Sequence, residues 1–353
     1  MARILDHLRR RGHDALVICP GPAPATYAGF PVVALPGVTV RGFRVGMPSY
    51  ALVRAIDDFR PDVVHAAAPF GLGYQALVVA QRRNIPTVAL FQTDVAGFAR
   101  RQGLAAASPA IWAWLRTVHA LADRTLAPSS ATIAELQANG IERVGLWARG
   151  VDARTYHPRR RTSSAVRALR RWVLREAADG VVVGYVGRLA PEKDVERLRH
   201  LTADPRVRLL IVGDGPSRRQ LENLLRPAGA IFTGKLTGEE LADAYAALDV
   251  FVHTGAHETF GQTLQEAMAT GIPVVAPAAG GPLDVVAEGE SGYLVAPGDD
   301  AALARAVKVL TDDPAMRARM GEAGRRLVQP RTWEALGDQL VAHYEAAVVD
   351  ALV

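Results

Sequence analysis

From end to end of the chain, short apolar runs alternate with stretches whose apolar residues recur every three or four positions. That is the pattern of buried strands joined by helices. In the first half, strands are expected near 15–19, 63–65, 87–91, 125–127 and 144–147. In the second half they are expected near 181–186, 207–212, 230–233, 250–253, 273–276 and 292–295. Such alternation predicts an α/β protein of doubly wound units with parallel sheets. A boundary is expected between Gly150 and Gly180, where His157-Pro-Arg-Arg-Arg161 leads into a short amphipathic helix through Val166, Leu169, Trp172 and Val173. The domains are thus read as 1–150 and 151–330, with 331–353 holding a terminal helix from Trp333 to about Val349. At the amino terminus, Ile4-Leu-Asp-His-Leu8 already reads as a helix closed at Gly12. A doubly wound half opens on a strand internal to its sheet. A strand and loop of roughly ten to twenty residues are therefore expected to be wanting, through a misplaced start codon rather than as a remnant.

Chemistry concentrates in the second half. Glu258-Thr-Phe-Gly-Gln-Thr-Leu-Gln-Glu266 sets one carboxylate before a helix and another about a turn into it, since Leu264, Ala267 and Met268 recur at helical spacing. The helix start offers backbone N–H groups, with roughly half a charge of macrodipole, to an anion. Alone, both glutamates would read as solvated surface acids. Their company changes that reading. The strand Val181-Val-Val-Gly-Tyr-Val186 runs into Gly187-Arg188 and, five residues after the arginine, Lys193. Two cations then stand at the carboxyl end of a strand, where open α/β sheets bind ligands, and both suit phosphate oxygens.

With these residues the chain resembles the retaining glycosyltransferases of family 4, which have the two-domain GT-B architecture. The resemblance is carried by Gly187-Arg-Leu-Ala-Pro-Glu-Lys193, Val212-Gly-Asp-Gly-Pro216, Phe232-Thr-Gly234, Glu258-Thr-Phe-Gly261 through Glu266, and Pro273-Val-Val-Ala-Pro-Ala-Ala-Gly-Gly281. Within the family, Phe91-Gln-Thr-Asp94 and Trp147-Ala-Arg-Gly-Val-Asp152 look most like bacterial GDP-mannose-dependent α-mannosyltransferases of glycolipid and lipoglycan synthesis. Sulfoquinovosyl transferases are close in the same motifs.

The resemblance implies two Rossmann-like domains facing a cleft. The first would be the acceptor side, the second would hold the nucleotide-sugar, and the terminal helix would cross back onto the first. It implies that Arg188 and Lys193 stabilise the leaving diphosphate in a metal's place, with no cofactor. Backbone groups of Gly280 and Gly281 would help them. Glu266 would take the ribose hydroxyls; Glu258, with the backbone of Thr259, Phe260 and Gly261, would take the sugar hydroxyls. The base would meet backbone near 233–236, and the wanting amino-terminal loop would be Gly-rich. On the acceptor side the candidates are His65, Gln92 and Asp94. Many relatives carry histidine at the Gln92 position; an amide bonds a hydroxyl but cannot shuttle a proton. Asp94 could orient the acceptor or merely cap a turn. The implied partners are a nucleotide-sugar, a lipid or glycolipid acceptor and an anionic membrane surface. The implied location is cytoplasmic, peripheral to the inner face of the cell membrane. A UDP-sugar donor of the sulfoquinovosyl or glucosyl type, and an inactive remnant acting as a binding module, stay open.

Composition narrows the field. At 353 residues and 49% hydrophobic, the chain can form two cored domains. The single cysteine, Cys19, precludes an internal disulfide and reads as a buried small hydrophobe. No apolar run reaches a membrane span, and no signal-peptide pattern opens the chain. Residues 1–150 hold 16 arginines and no lysine against nine acidic residues, while the remainder is slightly acidic. A basic half suggests an anionic partner, though 38 arginines against three lysines also reflect a GC-rich genome. Nucleic acid is not expected, because no stacking aromatics interleave the arginines. Of Trp112 and Trp114, two positions apart on a helix, one is expected in the core and the other exposed beside Arg116. Gly71-Leu-Gly-Tyr-Gln-Ala76 fits a dinucleotide fingerprint but lacks the acid that should follow it. His253 and His257 lack the helix and the third ligand of a metal site, so none is expected.

Overall fold

In the computed structural model, which describes residues 2–40, 43–92, 94–101, 103, 105–175, 177 and 179–351, the chain divides into two compact units. These are Met1–Ala148 with Trp333–Val353, and Arg149–Thr332.

The first unit opens with α1 (Ala2–Arg10), closed by Gly12 at a φ of +78°. Strands β1 (Val17–Pro20), β2 (Thr26–Tyr27) and β3 (Phe30–Leu35) form one sheet in the order β1-β3-β2. A hairpin, β4 (Gly37–Val40) and β5 (Phe43–Gly46), follows, then α2 (Tyr50–Phe59). Next come β6 (Val64–Ala66), α3 (Leu72–Arg82), β7 (Thr87–Leu90), α4 (Val95–Arg101), α5 (Ser108–Ala120), β8 (Arg124–Ala127), α6 (Ser130–Ala138) and β9 (Val144–Leu146). Strands β6-β7-β8-β9 make a parallel sheet in chain order. Among the described residues no strand joins β1 to β6. The interruption falls where a doubly wound order puts its first strand. Sequence periodicity does not anticipate β2 to β5. Pro31, Pro36 and the glycines at 29 and 37 make that stretch read as loop, although β3 is an apolar run. Cys19, on β1, is only half-buried, short of the expected burial.

The second unit begins with α7 (Ser164–Leu174), N-capped by the Ser163 hydroxyl accepting from the Val166 N–H at 3.1 Å. Val166 and Val173 are buried as an inner face requires, but Trp172 is 53% exposed, against expectation. The elements then alternate: β10 (Val181–Val186), β11 (Val207–Val212), α8 (Arg218–Leu225), β12 (Ile231–Gly234), α9 (Gly238–Ala246), β13 (Val250–Val252), α10 (Gln262–Ala269), β14 (Val274–Pro277), α11 (Pro282–Val285), β15 (Gly292–Val295), α12 (Asp300–Asp312) and α13 (Pro314–Val328). All six strands are parallel, in the order β12-β11-β10-β13-β14-β15. Every residue of β10 is buried, because a parallel sheet is covered on both faces. The strand order reverses beside β10, so the crevice for a ligand opens where β10 and β13 end.

The last helix, α14 (Trp333–Asp350), belongs to the first unit. Its Leu336, Leu340 and Ala347 share a core with Ile4, Val88, Leu90, Leu126 and Trp147. The Trp147 indole donates to the Leu336 carbonyl at 2.9 Å, which gives that tryptophan a structural role.

Candidate active site

The two loops at the switch point in the second unit are tied to each other. After β10, Tyr185 Oη donates to the Arg188 carbonyl at 3.0 Å and fixes the backbone there. The loop after β11 supports it from the side. Leu189 N–H donates to the Asp214 carbonyl at 3.0 Å, and Ser217 N–H to the Leu189 carbonyl at 2.9 Å. A Cβ on Gly213, at a φ of +143°, would stand 1.8 Å from the Gly187 oxygen, which explains a glycine in that sequence block. After β13, the buried Thr254 hydroxyl donates to the Lys193 carbonyl at 2.6 Å.

Lys193 and Glu258 meet at 2.9 Å, each with a side chain 21% exposed. The Glu258 carboxylate also accepts the N–H of Phe260 at 3.3 Å and of Gly261 at 3.2 Å, so it fixes the turn that leads into α10. Burial opposes ionisation of Glu258, but Lys193, His253 and the Phe260 N–H outweigh it and hold its pKa below the ordinary value. Arg188 is different. Its side chain is 61% exposed and reaches Glu192 only at 3.8 Å, so it is held loosely. An anion arriving at this corner finds one exposed, loosely paired guanidinium and one ammonium paired with a carboxylate.

Glu266 lies one turn into α10 and accepts from Tyr245 Oη at 2.9 Å. Gln262 Nε2 stands 3.5 Å from Glu266 and 3.2 Å from the Gly150 carbonyl. Burial pushes the Glu266 carboxyl up, against hydrogen bonds from Tyr245, Gln262 and Tyr156. Sequence reasoning missed Tyr245, Tyr156 and Gln262. One signal was available for the first: a lone tyrosine in the alanine-rich apolar face of α9.

Three expectations need correction. The N–H groups of Phe260 and Gly261 are not held ready for sugar hydroxyls, because both donate to the Glu258 carboxylate, and the Phe260 ring is 3% exposed in the core. Gly281 does not hold its N–H ready for phosphate, because that group donates to the Glu258 carbonyl at 2.7 Å. Gly280 and Gly281 serve close packing: added Cβ atoms would lie 2.3 Å from the Glu258 oxygen and 2.2 Å from the Phe260 oxygen. The helix they precede, α11, has four residues and a proline in its first turn. Thr259 is half-buried, between Glu258 and that ring.

The third correction concerns His65, which lies within β6 rather than at its end. Its Nδ1 bonds Tyr344 Oη of α14 at 2.5 Å, and burial lowers its pKa to about 4. Gln92 is exposed just after β7. Asp94 Oδ1 accepts from the Gly97 N–H at 2.5 Å, the capping role left open for it. Its neighbour Thr93 lies outside the described residues. His253, 3% exposed with a pKa lowered by burial to about 4, stands 3.9 Å from Glu258. Among the described residues no three His, Cys, Asp or Glu side chains gather as metal ligands. No helix among them is long and apolar enough to cross a membrane.

Comparison with known proteins assigns the chain. Residues 1–155 match the family described as Glycosyltransferase Family 4, and residues 166–327 that described as Glycosyl transferases group 1. A GDP-mannose-dependent alpha-mannosyltransferase of Mycobacterium tuberculosis is 46% identical over 98% of this chain and 91% of its own length. Its namesake in Mycolicibacterium smegmatis is 47% identical over 98% and 92%. Among solved structures, sucrose-phosphate synthase from Thermosynechococcus elongatus superposes with a TM-score of 0.77 over 98% of this chain and 91% of that one, at 24% identity, which speaks to fold alone. The chain belongs to glycosyltransferase family 4 and is a hexosyltransferase of the two-domain GT-B architecture.

Proposed function

We propose that this enzyme transfers mannose from GDP-mannose to a lipid-linked acceptor at a membrane surface, with retention of configuration. The observation that supports the reading is that the loops after β10 and β13 carry Arg188 and the Lys193–Glu258 ion pair, with Glu266 on the helix that follows Glu258. They supply two cations for a diphosphate and two carboxylates for hydroxyls. The near full-length identity to mannosyltransferases that use GDP-mannose supports that donor.

In the reaction the bond between the anomeric carbon and the diphosphate oxygen breaks, and a bond to the acceptor hydroxyl forms on the same face. The acceptor proton passes to the departing phosphate oxygen. Arg188 and Lys193 stabilise the charge that develops on the diphosphate; they act most strongly once water is excluded. Glu258 holds Lys193 in place through their ion pair, and its remaining acceptor capacity takes sugar hydroxyls. Glu266 accepts from the ribose hydroxyls, oriented by Tyr245. Gln92 and Asp94 contribute on the acceptor side.

A donor screen with a lipid extract as acceptor source tests the proposal. GDP-mannose should give organic-soluble labelled product while UDP-glucose gives none. Product from UDP-glucose alone would move the enzyme to the UDP-sugar class, and a water-soluble product alone would remove the lipid acceptor.

A further inference from the structure

Between residues 158 and 175 the sequence places seven arginines and no acidic residue, in a part of the chain that is otherwise slightly acidic. The fold sorts these arginines into two sets. Arg160 pairs with Glu239 and Asp243, while Arg161 and Arg170 pair with Asp249; these three pin the 3₁₀ turn Pro158–Thr162 and α7 to the rest of their own unit. Arg159, Arg167, Arg171 and Arg175 are exposed, and none of them has an acidic partner among the described residues.

On α7 the exposed positions form two adjacent stripes. Arg167 and Arg171 stand four residues apart along one of them, and Arg175 follows as the residue that ends the helix, at a φ of +52°. Ala165, Ala168 and Trp172 follow at helical spacing along the other, with Trp172 53% exposed. Val166 and Val173 on the opposite side anchor the helix to the sheet. α7 therefore has a second, outer amphipathic face that is exposed among the described residues of the unit.

We infer that the outer face of α7 docks on an anionic lipid surface, with Trp172 in the interfacial layer and Arg167, Arg171 and Arg175 on lipid phosphates. Charge complementarity selects the occupant: an unneutralised arginine stripe seeks phosphate, and an adjoining indole suits the headgroup boundary. The location differs from the sequence-based expectation, which put the anionic partner on the basic first half, where Trp114 is the exposed tryptophan. There Trp114 stacks on Phe70, with ring centroids 5.0 Å apart and planes 17° from parallel, so one face of its ring is taken. The inference deepens the proposal of a lipid-linked acceptor, yet it can fail independently, because GDP binding reports the donor site and vesicle binding reports this face.

The test is co-sedimentation of the full chain with phosphatidylcholine vesicles and with vesicles of equal parts phosphatidylcholine and phosphatidylglycerol. Wild type should bind only the anionic vesicles, and binding should fall steeply with salt. Each of Arg167→Gln, Arg171→Gln and Arg175→Gln should weaken partitioning about fivefold, and Trp172→Ala about tenfold, with GDP binding unchanged. Arg116→Gln, beside Trp114, should change partitioning less than twofold, roughly. Brominated anionic lipid should quench tryptophan fluorescence in wild type but much less in Trp172→Phe, a readout that survives if the arginine variants misfold. Equal binding to neutral vesicles, unaltered partitioning of the triple arginine variant, or capture by heparin without vesicle binding would overturn the assignment.

Discussion

At the scale of single residues, the proposed donor corner holds one tightly paired cation and one loosely paired one, and the two should respond differently to removal. Lys193→Ala leaves Glu258 half-buried without its partner, so it should cost roughly 1.5–3 kcal/mol of stability as well as GDP affinity. Arg188→Ala removes an exposed, loosely paired group, so GDP affinity should fall with the melting temperature unchanged. Calorimetry with GDP beside thermal melts distinguishes them; a melting temperature lowered equally in both would contradict this division. Glu266 sets a pH dependence. Its pKa is raised above 4.5 while that of Glu258 is lowered below it, so on acidification Glu266 protonates first. GDP affinity should therefore begin to fall while Glu258 is still ionised. In Glu266→Gln it should be weak throughout and lack that limb; an unchanged acid limb would show that another group controls binding. Arg188, Lys193, Glu258 and Glu266 were legible in sequence because strand ends and a helix start fix where they stand. Tyr245 and Tyr156 were not, since their meeting with Glu266 depends on how α9 and the segment before α7 pack on α10; Gln262, four residues before Glu266 on the same helix, was legible in the spacing and was passed over.

At the scale of elements, α10 is the piece that joins the parts of the site. Glu258 bonds the Gly261 N–H just before its start, Glu266 sits in its second turn, and its Gln265 donates to the Arg149 carbonyl at 2.9 Å. The loop before α11 holds that start in place through Gly281, where there is no room for a side chain. Gly281→Ala should lower stability by about 1–3 kcal/mol and weaken GDP binding together, because the clash is with backbone that cannot step aside. A destabilised variant with undiminished GDP affinity per folded molecule would show that the loop does not position the site. Sequence patterning placed β10 to β15 to within a residue or two, since each is a buried apolar run bounded by turn residues. It failed over residues 26–46, where prolines and glycines hide short strands, and at Trp172. On a helix of 11 residues the apolar arc is too short to show which side of a boundary residue faces inward.

At the scale of the whole molecule, each unit buries a histidine that is neutral when folded. His119 in the first unit and His253 in the second are each 3% exposed, and burial lowers both from 6.5 to about 4. The unfolded chain takes up these protons near 6.5 and the folded chain only near 4. Stability is then fully present above the higher value and is lost as pH falls between them, by up to about 1.4 kcal/mol per pH unit for each histidine. Thermal melts from about pH 8 down to about pH 5 should show a falling midpoint, with the fall reduced in a His119→Gln variant. A midpoint flat across that range would contradict burial of the neutral rings. The two-unit division and the parallel sheet of the second unit follow from patterning that extends over the whole chain. The split of the first unit's described strands into three sheets is a tertiary fact, read only from which strands pair.

The central claim is that Arg188 and Lys193 bind and activate the diphosphate of GDP-mannose. Its most direct test is GDP release from GDP-mannose by wild type, Arg188→Ala and Lys193→Ala, each measured per folded molecule in the presence of a lipid extract. The account predicts turnover in wild type and a loss of at least about tenfold in each variant, with GDP affinity falling in parallel. Wild-type turnover in either variant would contradict it.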